Sequence, residues 1–376
     1  DEPRKRYIIN DLIDYSPSSS FPFPSSSSIE SNTEILASTA STFHSSNGPP
    51  AREYIKRIQS LFSKIVTNYQ FPDPERSRND EGSIYCGAGG VTFVCLEIYF
   101  YNQKEPENQI PISGKHLLKT AREFLHYSYA FSYRRLYSFL MGKSGILAMD
   151  AVLCLLEGRA EKSKRRVQEL IELGIYVNGD EGTENEMLYG RAGYLYSLLY
   201  LQKHLKDVDF FPIKKIERLR ETVCQTIFLA GVEDSRYLKD RGASSPPLMF
   251  LWLNTPYLGA AHGFTGICFT LLHFPLSKSQ LSLIERSARY ILKELLLSSG
   301  NLPPVLGETS DELVQWCHGA PGLVSFLLKC HEAFGGDEYL VAAERAGEVV
   351  WKRGLLHKGL GLCHGVSGNG FSFLSL

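Results

Sequence analysis

Residues 262–274 read HGFTGICFTLLHF, a Gly-x-x-Gly pair followed at once by a run of apolar residues. The element occurs six times, and its first glycines are Gly87, Gly142, Gly190, Gly263, Gly319 and Gly365. Successive pairs are mostly separated by roughly 50 residues, and the charged segments between them carry apolar residues at every third or fourth position. The pattern predicts an all-α fold, an α/α toroid of buried inner helices alternating with amphipathic outer helices.

The composition excludes several classes of protein. The 376 residues include 40 Lys and Arg against 41 Asp and Glu, so there is no excess of positive charge with which to bind a nucleic acid. The 8 Cys are spread along a long chain, which is not the pattern of a small disulfide-stabilised protein. The first residues do not show a charged segment followed by an apolar run, and we therefore expect a cytoplasmic protein. The balanced charge predicts that it does not bind nucleic acid.

The N-terminal 50 residues differ from the rest of the chain. Between Ser16 and Pro50 stand 13 Ser and 5 Pro, a composition too polar to bury a core. We predict a disordered arm over residues 1–50 and a folded domain over residues 51–376. A plastid transit peptide is the alternative for this Ser-rich arm, although Glu30 and Glu34 are atypical of one.

One long stretch without charged residues is a candidate membrane span. Residues 242–277 contain no Asp, Glu, Lys or Arg, but four prolines interrupt them. The longest uninterrupted part, residues 257–274, carries two His and three Gly and is barely long enough to cross a bilayer. We therefore predict that the protein is not an integral membrane protein, and peripheral association with the plasma membrane remains open.

The residues just before the glycine pairs carry the candidate chemistry. In a ring of repeats, equivalent positions converge, and the last three pairs are preceded by His262, His318 and His364. Cys317 and Cys363 stand one position earlier in the last two repeats. Cys317, Cys363 and His364 supply two thiolates and an imidazole, which predicts one catalytic zinc ion with its fourth position open.

The other two histidines allow more than one interpretation. His262 could be a fourth zinc ligand, an acid or base beside the metal, or a packed core residue. His318 either lines the pocket or is drawn aside by the neighbouring ligand Cys317.

Four segments carry a family resemblance: LYGRAGYLYSLLY (188–200), GAAHGFTGI (259–267), WCHGAPGL (316–323) and GLGLCHGVSGN (359–369). They resemble the lanthionine synthetase C-like (LanC-like) family, in particular its eukaryotic and plant members. The resemblance implies a toroid of seven helix pairs, of which six are found here, so that residues 51–376 would stop before the seventh. It also implies zinc ligation by Cys317, Cys363 and His364.

The same resemblance implies a reaction in which a zinc-activated thiol adds to a dehydroamino acid. Bacterial members close thioether rings in peptides, whereas eukaryotic members are implied to add glutathione to dehydroalanine or dehydrobutyrine in peptides or proteins. His262, His318 and Lys358 would be catalytic, with Lys358 beside the glutathione thiol. Bacterial members carry Tyr where this chain has His318, which argues against peptide cyclisation. The alternative is a protein that binds zinc and glutathione without catalysis.

Overall fold

The computed structural model describes residues 6–8, 51–74, 79–131, 133 and 137–376. These residues form twelve α-helices and one two-stranded antiparallel sheet, in which β1 (Tyr7–Ile8) pairs with β2 (Leu355–Leu356). The all-α prediction is confirmed. The helices are α1 (Ala51–Asn68), α2 (Ala88–Lys104), α3 (Gly114–Ser128), α4 (Lys143–Leu156), α5 (Ala160–Gly179), α6 (Arg191–Leu205), α7 (Ile213–Asp240), α8 (Phe264–Leu271), α9 (Lys278–Tyr290), α10 (Ala320–Phe334), α11 (Asp337–Arg353) and α12 (Val366–Ser375).

The chain divides into two compact units, with the boundary inside α7. One comprises Pro49–Glu233, and the other comprises Asp234–Leu376 together with the N-terminal segment that includes β1. Within the second unit, α10 packs against α8, α11 and α12. A single toroidal domain over residues 51–376 stays a prediction. Residues 1–5 and 9–50 of the predicted disordered arm lie outside the described residues, whereas residues 7–8 of that arm form a strand.

The glycine pairs start the inner helices. The first glycine of every pair is the residue immediately before a helix, as Gly263 is before α8 and Gly365 before α12. The second glycine is needed for close packing. A Cβ atom on Gly266 would lie 1.8 Å from the carbonyl oxygen of Ala260, six residues earlier. The loop before each inner helix can therefore fold back onto the first helical turn, which positions the residues just ahead of the pair.

Burial separates the inner helices from the outer ones, as the periodicity predicts. In the inner helix α4, every residue from Ser144 to Cys154 is buried. In the outer helix α9, the buried residues are Ile284, Ser287 and Ala288, which lie on one face. The apolar run of α4 thus marks a helix covered on all sides, and the periodic segment of α9 marks a helix with one face in water. The inner helix α12 differs, because only three of its residues are buried and Phe371 is exposed.

Asp150 is a buried charge in α4 that ties two outer helices to the inner one. Its carboxylate is paired with Arg122 of α3 and accepts hydrogen bonds from Arg166 Nε of α5 (2.6 Å) and from the Tyr129 hydroxyl (2.9 Å). Burial alone would raise the pKa of Asp150, but the hydrogen bonds and the positive charge of Arg122 outweigh it and lower the pKa from 3.8 to about 2.

We expect Asp150→Asn to destabilise the protein by about 1.5–3 kcal/mol, because Arg122 and Arg166 lose their shared anion although each keeps a glutamate partner. Because the folded pKa lies below the ordinary value, the ionised carboxylate stabilises the fold above about pH 4 and loses that effect as the pH falls towards 2. Urea unfolding of both proteins between pH 7 and pH 3 measures the effect. Asp209→Asn, at an exposed position, is the control. An equal stability of Asp150→Asn and wild type at pH 7 would contradict the prediction.

Candidate metal centre and neighbouring cavity

Three predicted ligands come together in the second unit. The sulfur atoms of Cys317 and Cys363 and a ring nitrogen of His364 lie within 4.8 Å of one another. The loops that carry them are joined directly, because the backbone N–H of Cys317 donates to the carbonyl oxygen of Cys363 at 3.1 Å. The Cys-His-Gly triplets before α10 and α12 thus meet although 46 residues separate them in the sequence.

The chemistry of this donor set fits a zinc ion. Two sulfurs and one imidazole nitrogen are ligands that zinc prefers, and three protein ligands are typical of catalytic zinc sites. Cys317 is buried, Cys363 is half-buried and His364 is exposed. The hydrogen bond with Cys363, together with burial, raises the pKa of the Cys317 thiol. A divalent cation would favour both thiolates, since it would place a positive charge beside the two sulfurs.

A tight turn sets the direction of Cys317. The N–H of Gln315 donates to the carbonyl oxygen of His318 at 3.1 Å, and the N–H of His318 donates back at 3.0 Å. Gly319 follows with a φ of 112°, a conformation that favours glycine, and then α10 begins. The reversal lets consecutive side chains reach different neighbours, so that Cys317 meets Cys363 while the ring of His318 packs beside Tyr257.

His262 and His318 form a second cluster with two aromatic residues. The ring of His262 stacks face to face on Trp252, with centroids 3.7 Å apart and an interplanar angle of 4°. The centroids of His262 and His318 are 6.3 Å apart. Burial, followed by the positive charges of His262 and Lys358, lowers the pKa of His318 to about 4. The group of ligand atoms around Cys317 does not include His262, and its possible role as fourth ligand stays a prediction.

A cavity of about 290 Å³ is connected to the candidate metal ligands through Gln315, which lines the cavity and contacts Cys317. It is lined by Arg6, Glu312, Leu313, Val314, Gln315, Leu356, His357 and Lys358. The pairing of β1 with β2 brings Arg6 to this place, where it forms an ion pair with Glu312 at 2.9 Å. The Lys358 ammonium donates to Gln315 Oε1 at 3.5 Å, and Gln315 Nε2 donates to the Cys317 sulfur at 3.2 Å. The cavity and the metal centre therefore share Gln315 as a wall.

Comparison with known proteins assigns the family. The family described as "Lanthionine synthetase C-like protein" matches this chain over residues 80–376. The chain belongs to the LanC-like family. A relative from Danio rerio, named glutathione S-transferase LANCL1, is 36% identical over 324 residues, covering 85% of this chain and 74% of that protein. The Arabidopsis thaliana LanC-like protein GCL1 is 33% identical over 304 residues, covering 78% of this chain and 65% of its own length.

The solved structure of a nisin cyclase shows the fold of this LanC-like chain. The two align with a TM-score of 0.53 at 16% identity, over 86% of this chain and 80% of the cyclase. This likeness confirms the predicted fold class. Among the described residues of the LanC-like protein, no helix is both long and apolar enough to cross a bilayer.

The structure also places residues at the site that the sequence did not single out. Trp252 lies between α7 and α8, at a turn where Leu253 and Asn254 have φ angles of 49° and 61°. Arg6 lies in the predicted arm, and Gln315 lies in a loop that carries no periodic pattern. Proximity to a Cys-His-Gly triplet could have drawn attention to Gln315, whereas no sequence signal connects Arg6 or Trp252 to the site.

Proposed function

We propose that this LanC-like protein adds the thiol of glutathione to dehydroalanine or dehydrobutyrine residues in peptides or proteins. The observation that carries the proposal is the cluster of Cys317, Cys363 and His364, with ligand atoms within 4.8 Å, beside a cavity that has cationic residues in its wall. The name of the Danio rerio relative supports glutathione as the thiol. The thiol ligands fit a reducing compartment, and we propose the cytoplasm.

Cys317, Cys363 and His364 would hold one zinc ion. Bound there, zinc would lower the pKa of a glutathione thiol and so supply a thiolate nucleophile near neutral pH. The three residues are able to hold a cation because they belong to two loops that are hydrogen-bonded to each other, so the ligand set is largely preformed.

The cavity suits the charge of glutathione. This tripeptide carries two carboxylates, and Arg6 and His357 are available in the cavity wall to bind them. Arg6 and Glu312 form an exposed ion pair, with 57% and 64% of their side chains accessible. Because exposed ion pairs contribute little stability, Arg6 can leave Glu312 and bind a ligand carboxylate at a small cost in free energy. Lys358 lies nearer the metal centre, since it contacts Gln315, and we propose that it faces the thiol end of glutathione.

His262 is the proposed proton donor. Attack by the thiolate on the β-carbon forms a C–S bond, and the electron pair of the C=C bond moves onto the α-carbon and its carbonyl group. A proton delivered to the α-carbon completes the addition, so that no group leaves. Stacking on Trp252 restrains the ring of His262, and His318 would line the same space.

The direct test supplies zinc-loaded protein with glutathione and a peptide that contains one dehydroalanine, and follows the peptide by mass spectrometry. We expect the peptide to gain the mass of one glutathione at a rate that exceeds the uncatalysed addition. A protein that binds zinc and glutathione but does not accelerate the addition would instead support the non-catalytic binding function.

A further inference from the structure

Gln315 is a buried polar residue between the metal centre and the cavity. Only 6% of it is exposed, and its side chain makes one contact in each direction. On one side Nε2 donates to the Cys317 sulfur at 3.2 Å, and on the other Oε1 accepts from the Lys358 ammonium at 3.5 Å. Its backbone is held by the two hydrogen bonds with His318, which leaves the side chain little freedom to move away.

The chemistry of the two neighbours determines how the amide must point. An ammonium group can only donate hydrogen bonds, so Lys358 requires the carbonyl oxygen of Gln315 on its side. The amide NH2 group then faces Cys317, and a thiolate ligand can only accept. Lys358 and a metal-bound Cys317 sulfur therefore favour the same orientation of Gln315, and each contact supports the other.

We propose that Gln315 is a positioning residue for the metal centre, and that Lys358 acts on the Cys317 thiolate through it. The inference rests on the proposed zinc site and concerns which residues outside the ligand set maintain it. An N–H group donated to a ligand sulfur fixes the position of that sulfur and disperses part of its negative charge. Residues that support metal ligands in this way typically change metal affinity by about ten- to a hundredfold when removed.

The test measures zinc affinity by competition with a chromophoric chelator, in the absence of glutathione and peptide. The proteins are wild type, Gln315→Leu, Lys358→Met and the double variant, and Lys352→Met is the control. Lys352 is also an exposed lysine of this unit, but its nearest anion is Glu348 at 3.9 Å, in the outer helix α11. The absorption of the Co2+-substituted proteins in the thiolate charge-transfer region gives a second readout, of the ligand sulfurs themselves.

We expect Gln315→Leu to weaken zinc binding by about ten- to a hundredfold and to shift the charge-transfer band. Lys358→Met should weaken zinc binding by about threefold to tenfold in wild type and have no further effect in Gln315→Leu, because its action requires the amide. Lys352→Met should leave zinc affinity unchanged. Equal zinc affinity in wild type and Gln315→Leu would overturn the proposal, and independent, additive effects of the two substitutions would overturn the part played by Lys358.

The design separates this proposal from the proposed function. The zinc affinity of wild type reports on the metal site, whereas the ratio between wild type and variant reports on Gln315. Circular dichroism and thermal melting show whether Gln315→Leu folds. If it does not, Lys358→Met still tests the proposal, because Lys358 is exposed and its substitution should not disturb the fold. An unchanged zinc affinity in Lys358→Met would then overturn the proposed action of Lys358 through Gln315.

Discussion

The Cys363→Ala variant is expected to bind zinc with an affinity lower by on the order of a thousandfold, and so to lose the metal when zinc is supplied at one equivalent. Cys363 is one of the three proposed ligands, and its sulfur lies within 4.8 Å of the ligand atoms of the other two. The group found among the described residues holds no further His, Cys, Asp or Glu that could replace it. Cys317→Ala and His364→Ala should behave in the same way. Metal content of the purified proteins, measured by inductively coupled plasma mass spectrometry, gives the result.

Cys330→Ala is the matched control for the thiol. Cys330 is fully buried in α10, the helix that follows Cys317, and it is not a member of the ligand group. The Cys330→Ala variant should bind zinc with the affinity of wild type. Zinc retained at one equivalent in Cys363→Ala would show that the three residues are not the metal site, and the proposed function would lose its basis.

His262→Ala is expected to slow the addition of glutathione to a dehydroalanine peptide by about a hundredfold or more, the usual effect of removing a positioned acid. His262 is not in the ligand group, so zinc content and glutathione affinity should be close to those of wild type. His318→Ala should have a smaller effect, since we assign it only to lining the space near His262.

Adduct formation followed by mass spectrometry, with zinc measured in the same samples, separates the two possible roles of His262. Loss of zinc together with loss of activity would identify His262 as a fourth ligand. Activity equal to wild type would remove His262 from the mechanism. Loss of activity with zinc retained is the expected result.

Much of the helical architecture could be predicted from the sequence because its determinants are local. A glycine pair marks the start of every inner helix. The preceding loop folds back onto the first turn of the helix, and this close approach leaves no room for a Cβ atom at Gly266 or Gly368. The contrast between fully apolar and periodic segments correctly separated inner helices such as α4 from outer helices such as α9. These signals depend on neighbours within a few residues.

The clustering of Cys317, Cys363 and His364 was also predictable, because the repeat makes equivalent positions converge. The surroundings of that cluster were not. Arg6 reaches the cavity through the pairing of Tyr7–Ile8 with Leu355–Leu356, and backbone hydrogen bonds between such short strands leave no pattern in the sequence. Likewise, the periodicity of the chain contains nothing that would stack Trp252 on His262.

The sequence by itself therefore determined the helices, the order of the repeats and the residues that could ligate a metal. Only the tertiary structure decided which residues surround that metal site, as the contacts of Gln315 show: one neighbour, Cys317, is two residues away, and the other, Lys358, is 43 residues away. The physical reason is that helix formation and glycine packing are local, whereas a hydrogen bond between side chains depends on the path of the whole chain.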